Sequence, residues 1–391
     1  MMKNKEVETD DPFFPQEIIR NILTRLPVKS LIRFHCVCRH WRDLFKDPSF
    51  IADHLHHSNR QNPYILFQRD HSFDNHSDLH SLGSDMQVWR FQNPPLIEHL
   101  NHGKIVGSSN GLLCVYSPHS LLLWNPAIKE VNLVPKTDLC LDLYSIGCHP
   151  IGFGFCPSLN DYKIVVTSVE NFFEMFKVYS LRSNSWKEVK YRVDDCHFNY
   201  GVTVNGVMFW WGERYLRKFG GEHSEMVIFS FDLATEVWTV IPMPEHHFSP
   251  ISQNLTVYEG KLAFVCCAQD FEHTEDFEHS AIHLWVREEG VGAFGETWNW
   301  TKKFTSNPYP SSWLCPITMW GNEIFCRIWD SESTNTILFN PTTEKFKNLN
   351  ISECGVGYRI INYVESLVSV GGTKSLTKLL KRGAHLVECG Q

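Results

Sequence analysis

Gly107-Ser108-Ser109-Asn110-Gly111 has the Gly-x-Ser-x-Gly spacing that, between a strand and a helix, presents a nucleophilic serine. Here Leu112-Leu-Cys-Val-Tyr116 follows, an apolar run that reads as a strand, so Ser109 is expected in a turn and not as a nucleophile. Cys36 and Cys38, flanked by His35 and His40, offer soft metal ligands. A structural zinc site needs wider Cys pairs and a second pair at matching distance, and none is present. The expected packing role for both cysteines is that of small apolar side chains. Cys266-Cys267 falls in a predicted strand, where neighbours point to opposite faces and do not readily share an ion. His54, His56, His57, His71, His76 and His80 form the densest histidine cluster, in a polar stretch that reads as loop and not as a ligand set. The expectation is therefore no catalytic residue, no metal and no cofactor.

What remains is chemistry of association, concentrated in residues 12–50, PFFPQEIIRNILTRLPVKSLIRFHCVCRHWRDLFKDPSF. Ile18, Ile19, Ile22, Leu23 and Leu26 recur at helical spacing, with Pro15 placed to open that helix. Pro27 breaks it and suits the start of the next, where a missing N–H costs nothing. Val37, Trp41, Leu44 and Phe45 give a third stripe. Three short amphipathic helices in so few residues cannot bury all their apolar faces against one another. Part of that surface must pack on the rest of the chain or on a partner.

Pro15, Ile22-Leu23, Leu26-Pro27-Val28-Lys29-Ser30-Leu31, Phe34, Val37-Cys38, Trp41 and Asp47-Pro48-x-Phe50 together resemble the F-box. This module docks a substrate receptor onto the Skp adaptor of a cullin–RING ubiquitin ligase. Phe14 stands where the family usually has Leu, an apolar exchange. The resemblance implies that Pro15, Ile18, Ile22, Leu23, Leu26, Pro27, Leu31, Phe34, Val37 and Trp41 form the adaptor interface and its supporting packing.

Charge agrees with that reading. The chain of 391 residues has a net charge of −8, which argues against general nucleic-acid or membrane-surface binding. Residues 12–50 run the other way, with Arg20, Arg25, Lys29, Arg33, Arg39, Arg42 and Lys46 against Glu17, Asp43 and Asp47. A basic docking module favours an acidic partner, mainly through association rate, and the family's Skp adaptors are acidic. The 13 cysteines show no disulfide-like framework, the first eleven residues are charged, and no uninterrupted apolar run is long enough for a membrane helix. Reduced, buried thiols in a cytoplasmic or nuclear protein are expected.

Beyond Phe50, residues 54–103 are rich in His, Asn and Ser, with one clear strand at Tyr64-Ile-Leu-Phe67. From residue 104 onward short β-runs alternate with turns. A turn followed by an apolar strand recurs around Asn110, Asn160, Asn205, Glu259 and Gly321, at separations of 50, 45, 54 and 62. Each copy leads to a further strand, a polar turn and a strand with an early anchor, as in FKVYSLRSNSWKEV and VIFSFDLATEVWTVIP. Four strands every ~50 residues make a β-propeller blade, close to the kelch period. A sixth sheet is expected to join Tyr64–Phe67 to YRIINYVESLVSVGG (358–372), closing the ring and removing sheet edges.

GFGF…NDYKIV, KVYSLRSNSWK, SFDLATEVW and NYVESLV are similar to the F-box-associated domain of plant proteins, the tail resembling the pollen S-locus F-box group. The expected fold is thus mainly β, an N-terminal three-helix F-box followed by a kelch-type β-propeller of six blades. The expected divisions are a disordered 1–11, the F-box at 12–52, linker and first strands at 53–103, the propeller at 104–372, and a tail at 373–391. Within the propeller, Trp186, Trp238, Trp298 and Trp300 recur in register as core, and Trp210-Trp211 read as inter-blade packing. GERYLRKFGGEHSE (212–225) and the tandem Asp270-Phe-Glu-His, Asp276-Phe-Glu-His read as loop insertions, the latter a candidate acidic patch for a basic partner. KSLTKLLKR (374–382) reads as a short basic helix or frayed tail.

These readings combine into a non-catalytic subunit of an SCF-type ligase that binds the Skp adaptor, and through it a cullin complex, by the F-box and a protein substrate by the β domain. No RING-type Cys/His spacing is present to recruit a conjugating enzyme directly. No residue is assigned to the substrate. Three other readings stand beside this one: an S-locus relative recognising a pistil ribonuclease in self-incompatibility, a ligase-independent protein-binding scaffold, and a propeller enzyme. The last lacks a repeated Asp/Glu/His set at equivalent blade positions.

Overall fold

Pro15 and Pro27 each stand one residue before a helix, with extended backbone at ψ 141° and 145°, and their carbonyls accept the first helical N–H groups. The computed structural model describes residues 14–61, 63–70, 77–91, 104–117, 120–137, 151–170, 173–189, 196–218, 221–245, 250–269, 279–288, 291–292, 295–296, 299–310, 313–329, 334–349 and 360–371. Four helices open it: α1 (Gln16–Thr24), α2 (Val28–Phe34), α3 (Arg39–Leu44) and α4 (Pro48–Gln61). The fourth is a correction to the three-helix expectation. Asp47 caps it by accepting from Phe50 N at 2.9 Å and from the Ser49 hydroxyl, which holds its carboxyl below the usual range. The polar stretch after Phe50 therefore begins as helix and not as linker.

The rest is a ring of six antiparallel blades, I to VI in chain order. Blade II has strands Lys104–Ser109, Leu112–Ser117, Ser120–Asn125 and Glu130–Leu133. Blades III, IV, V and VI begin at Ile151, Cys196, Ser252 and Leu314 and repeat that up-and-down order. Blade I takes three strands from the N-terminal side (Tyr64–Asp70, Ser77–Leu82, Val88–Phe91) and its inner strand, Ile360–Tyr363, from the C-terminal side. Closure thus occurs where expected, but the closing strand stops at Tyr363; residues 364–371 leave the sheet.

Each gap between blades holds one apolar cluster. Leu66, Leu79, Leu113 and Val115 fill the gap from I to II, and Leu112, Cys114, Tyr116, Ile164 and Val166 that from II to III. Ile65, Phe67, Trp320 and Phe325 seal VI against I. Alternate residues of one strand therefore face different neighbours, which is why these strands are uninterrupted apolar runs and not alternating ones. Trp210 and Trp211 obey the same rule: the first packs in the III–IV core, the second against the IV–V core. Trp186 and Trp300 also donate across the gaps, to Pro135 O at 2.8 Å and Pro242 O at 3.1 Å.

The five turn residues singled out by spacing all adopt positive φ, from 48° at Asn160 to 59° at Gly321. Asn and Gly tolerate that region best, so their recurrence marks a backbone requirement. Ser109 ends a strand, and a strand follows it, so no nucleophile elbow forms. One expected loop is instead sheet. Val207–Lys218 and Gly221–Asp232 pair continuously out to Lys218↔Gly221, with Arg214 and Glu225 ion-paired in register. The polar residues of this stretch that are described lengthen the two strands, each pairing across to the other. The DFEH duplication, except His279, which starts a strand, and the basic 374–382 segment lie outside the described residues.

Candidate protein-docking face

The apolar residues of α1 form one broad stripe, and the structure divides it into an exposed edge and a buried edge. Leu23 is 2% exposed and packs with Val28, Leu31, Phe45 and Phe50 in the helical core, with Ile19, Leu26, Phe34 and Trp41 half-buried around it. Ile18 and Ile22, one turn apart, stand 46% and 53% exposed. Phe14 and Val37 are 52% and 59% exposed, and Pro15, Pro27 and Ile32 also face solvent. Ile18 and Ile22, at i and i+4, make an outward stripe on α1, and Phe14 stands exposed just before the helix.

The ten residues expected at the docking surface thus fall into three groups. Pro15, Ile18, Ile22, Pro27 and Val37 are exposed; Leu26, Phe34 and Trp41 are half-buried; Leu23 and Leu31 are core. Phe14 and Ile32 were outside that set and belong with the exposed group. The signal for Phe14 was its place beside Pro15, just before the helix; nothing in the spacing of Ile32 separates it from Leu31.

Arg25, Lys29, Arg33, Arg39, Arg42 and Lys46 are exposed on the same helices. Their field reaches His35: partial burial, then Lys46 and Arg42, hold its pKa below the ordinary value. Arg20 is tied down differently, donating to Asp53 at 2.7 Å and Ser49 at 3.0 Å over the Phe50 ring.

Two expectations about reactive side chains change. Cys36 and Cys38 are exposed and do not pack. The Cys36 thiol donates to Arg33 O at 2.8 Å, and the Cys38 sulfur accepts from Trp41 N at 3.4 Å as the cap of α3. Both satisfy helix ends, where free N–H and C=O groups seek partners. His54, His56 and His57 lie on α4 and not in a loop, and His80 lies on a strand stacked on Phe67; His71 and His76 lie outside the described residues. His54 is buried with Nε2 bonded to Leu26 O at 2.9 Å, and burial lowers its pKa. Among the described residues no group of three His, Cys, Asp or Glu side chains is placed to hold a metal. In the propeller, burial pushes the Cys267 thiol up to about 12 and that of Cys326 well above its ordinary value, which leaves them as unreactive core.

A four-helix module with an outward apolar stripe and a basic surround is thus joined to a six-bladed ring. The F-box domain model matches residues 13–53, and the F-box associated beta propeller domain model matches residues 64–358. The chain belongs to the F-box proteins that carry an F-box-associated propeller. It is similar to the F-box protein CPR1 of Arabidopsis thaliana, 25% identical over 90% of this chain and 88% of the relative. It is also similar to the Arabidopsis thaliana F-box/kelch-repeat protein At3g23880, 26% identical over 74% and 78% of the two chains. Among solved structures, TolB from Acinetobacter baumannii covers 81% of this chain with 73% of its own, at 10% identity and a TM-score of 0.46. No described helix is long and apolar enough to cross a membrane.

Proposed function

We propose that this protein is a substrate-receptor subunit of an SCF-type ubiquitin ligase, binding a Skp-family adaptor through its F-box and a protein substrate through its propeller. The observation that carries the reading is the outward stripe of Ile18 and Ile22, with Phe14, Ile32 and Val37, above a helical core that folds without them. Each is about half exposed, so covering it with a partner surface is worth about 1 kcal/mol, roughly half of full burial. The exposed Lys and Arg residues fit an acidic adaptor and speed encounter with it. The protein performs no bond chemistry in this scheme. It raises the effective concentration of substrate lysines near the charged conjugating enzyme.

The test is reconstitution of full-length protein with a plant Skp adaptor, cullin and RING subunit. Wild type enters the complex, and Ile18→Asp with Ile22→Asp does not, while retaining its thermal transition. The pair Leu26→Ala and Pro27→Ala is a poorer probe. Leu26 is packed in the helical core and Pro27 starts α2, so folding and docking would fall together. Failure of folded wild type to enter the complex would refute the reading.

A further inference from the structure

After Tyr363 closes the ring, residues 364–371 run across blade II on the face where the F-box sits. In blades II to VI the inner strand turns straight back into the second strand; in blade I that turn is replaced by this segment. Asn125, wholly buried, donates to Ser366 O at 3.0 Å and Val368 O at 2.7 Å, while its own Oδ1 accepts from Ala127 N. The Ser366 hydroxyl donates to Asn110 O at 2.7 Å. Glu130 accepts from the Ser369 hydroxyl at 2.6 Å and Val370 N at 3.1 Å, and Asn132 donates to Val370 O at 3.1 Å. Gly111, at φ 80°, has Ser366 so close that a Cβ there would lie 2.3 Å from its hydroxyl.

Side chains of the segment divide between the two modules. Val370 is fully buried in the II–III core, with Val368 packed against it. Leu367, between them and Ser366, enters the F-box core beside Leu23, Val28, Leu31, Phe45 and Phe50, where Ala127 and Ile128 of a blade II turn also reach. Glu365 is half-buried; desolvation raises its pKa, and Lys29 of α2 opposes that rise.

We infer that residues 364–371 are a positioning strap that fixes the F-box on the propeller, with Leu367 as its wedge and Asn125 as its anchor. Closing the ring and placing the F-box are then one structural event, since strand and strap are consecutive. This deepens the receptor reading, because a fixed F-box sets where the propeller holds a substrate relative to the adaptor; the geometry itself does not depend on that reading.

The test measures distance within the full chain, by single-molecule energy transfer between dyes on non-natural residues at Arg39 and Lys345, both exposed. Wild type gives one narrow distribution. Leu367→Asp, and separately a chain ending at Tyr363, widen it at least twofold; Leu367→Met restores it; in the Leu367 variants the propeller's thermal transition stays within a few degrees, whereas the shortened chain, which also loses Val370 from the II–III core, melts lower. Should Leu367→Asp unfold the propeller, Leu367→Ala takes its place with the same expected widening. An unchanged distribution in the wedge variant and in the shortened chain would overturn the strap. A narrow wild-type distribution in a protein that captures no adaptor would support the strap and refute the receptor reading alone.

Discussion

Five large apolar residues stand in solvent between Phe14 and Val37, whereas the other nine exposed ones among the described residues are scattered from Val88 to Trp329. The propeller can bury its apolar residues because each strand has a neighbouring blade on either side, and the ring supplies the last neighbour. Helix α1 carries an apolar stripe wider than its protein neighbour covers, so Leu23 is buried while Ile18 and Ile22 stand exposed. Binary patterning that would be an error in a free-standing bundle is what a docking module needs. The propeller uses its apolar surface for itself; the F-box leaves part of its own in solvent, which in the proposed function is the surface that meets the adaptor.

The propeller side of the contrast breaks most severely at a charge. Lys163 of blade III is buried and donates to Leu233 O at 2.6 Å and Glu236 of blade IV at 2.9 Å, and Glu236 also holds Lys187 at 2.5 Å. Burial alone would raise the Glu236 pKa, but the two lysines outweigh it and keep the carboxyl below its ordinary value. Glu236→Ala leaves Lys163 buried and unpaired and is expected to cost about 3–5 kcal/mol in urea unfolding, the range for breaking one side of a buried pair. Leu31→Ala, at a fully buried core position, is expected to cost the F-box about 2–5 kcal/mol and to reduce helical circular dichroism ahead of the main β transition.

The same kind of truncation on the outward stripe sharpens the contrast. Ile18→Ala with Ile22→Ala should change stability by about 0.5 kcal/mol or less, within the range of surface substitutions. Adaptor affinity measured by calorimetry should fall at least tenfold. The helical module should also respond to pH. His54 has a folded pKa below its unfolded value, so its contribution to stability is present above the unfolded pKa of 6.5 and is lost as pH falls below it toward the folded pKa. Helix melting followed from pH 7.5 to 5.5 should weaken, with His54 contributing no more than about 1.4 kcal/mol per pH unit and His35 acting in the same direction, and His54→Gln should reduce that slope without abolishing it.

Much of this was legible because it rests on backbone demands that few residues meet. Asn110, Asn160 and Asn205 announce left-handed turns, and a ~50-residue period of such turns makes a blade. The F-box string was equally plain. What escaped was side-chain direction. Ile18 and Leu23 share one helical spacing pattern, and only packing separates outward from inward. Helix α4 was hidden by its His and Asn residues, whose weak propensity is offset by the Asp47 cap and by burial of Phe50 and His54. The strap escaped because its bonds join residues about 240 positions apart, at Asn125 and Val368, where local pattern carries no signal.

The most direct measurement is the affinity of purified full-length protein for a purified plant Skp adaptor, in wild type, in Ile18→Asp with Ile22→Asp, and in Lys163→Met with Glu236→Gln. If the outward stripe is held for the adaptor, wild type binds, the stripe variant loses at least 100-fold while melting like wild type, and the propeller variant binds as wild type does. Equal binding by wild type and a folded stripe variant would contradict the account, because the apolar surface left in solvent would then serve no docking.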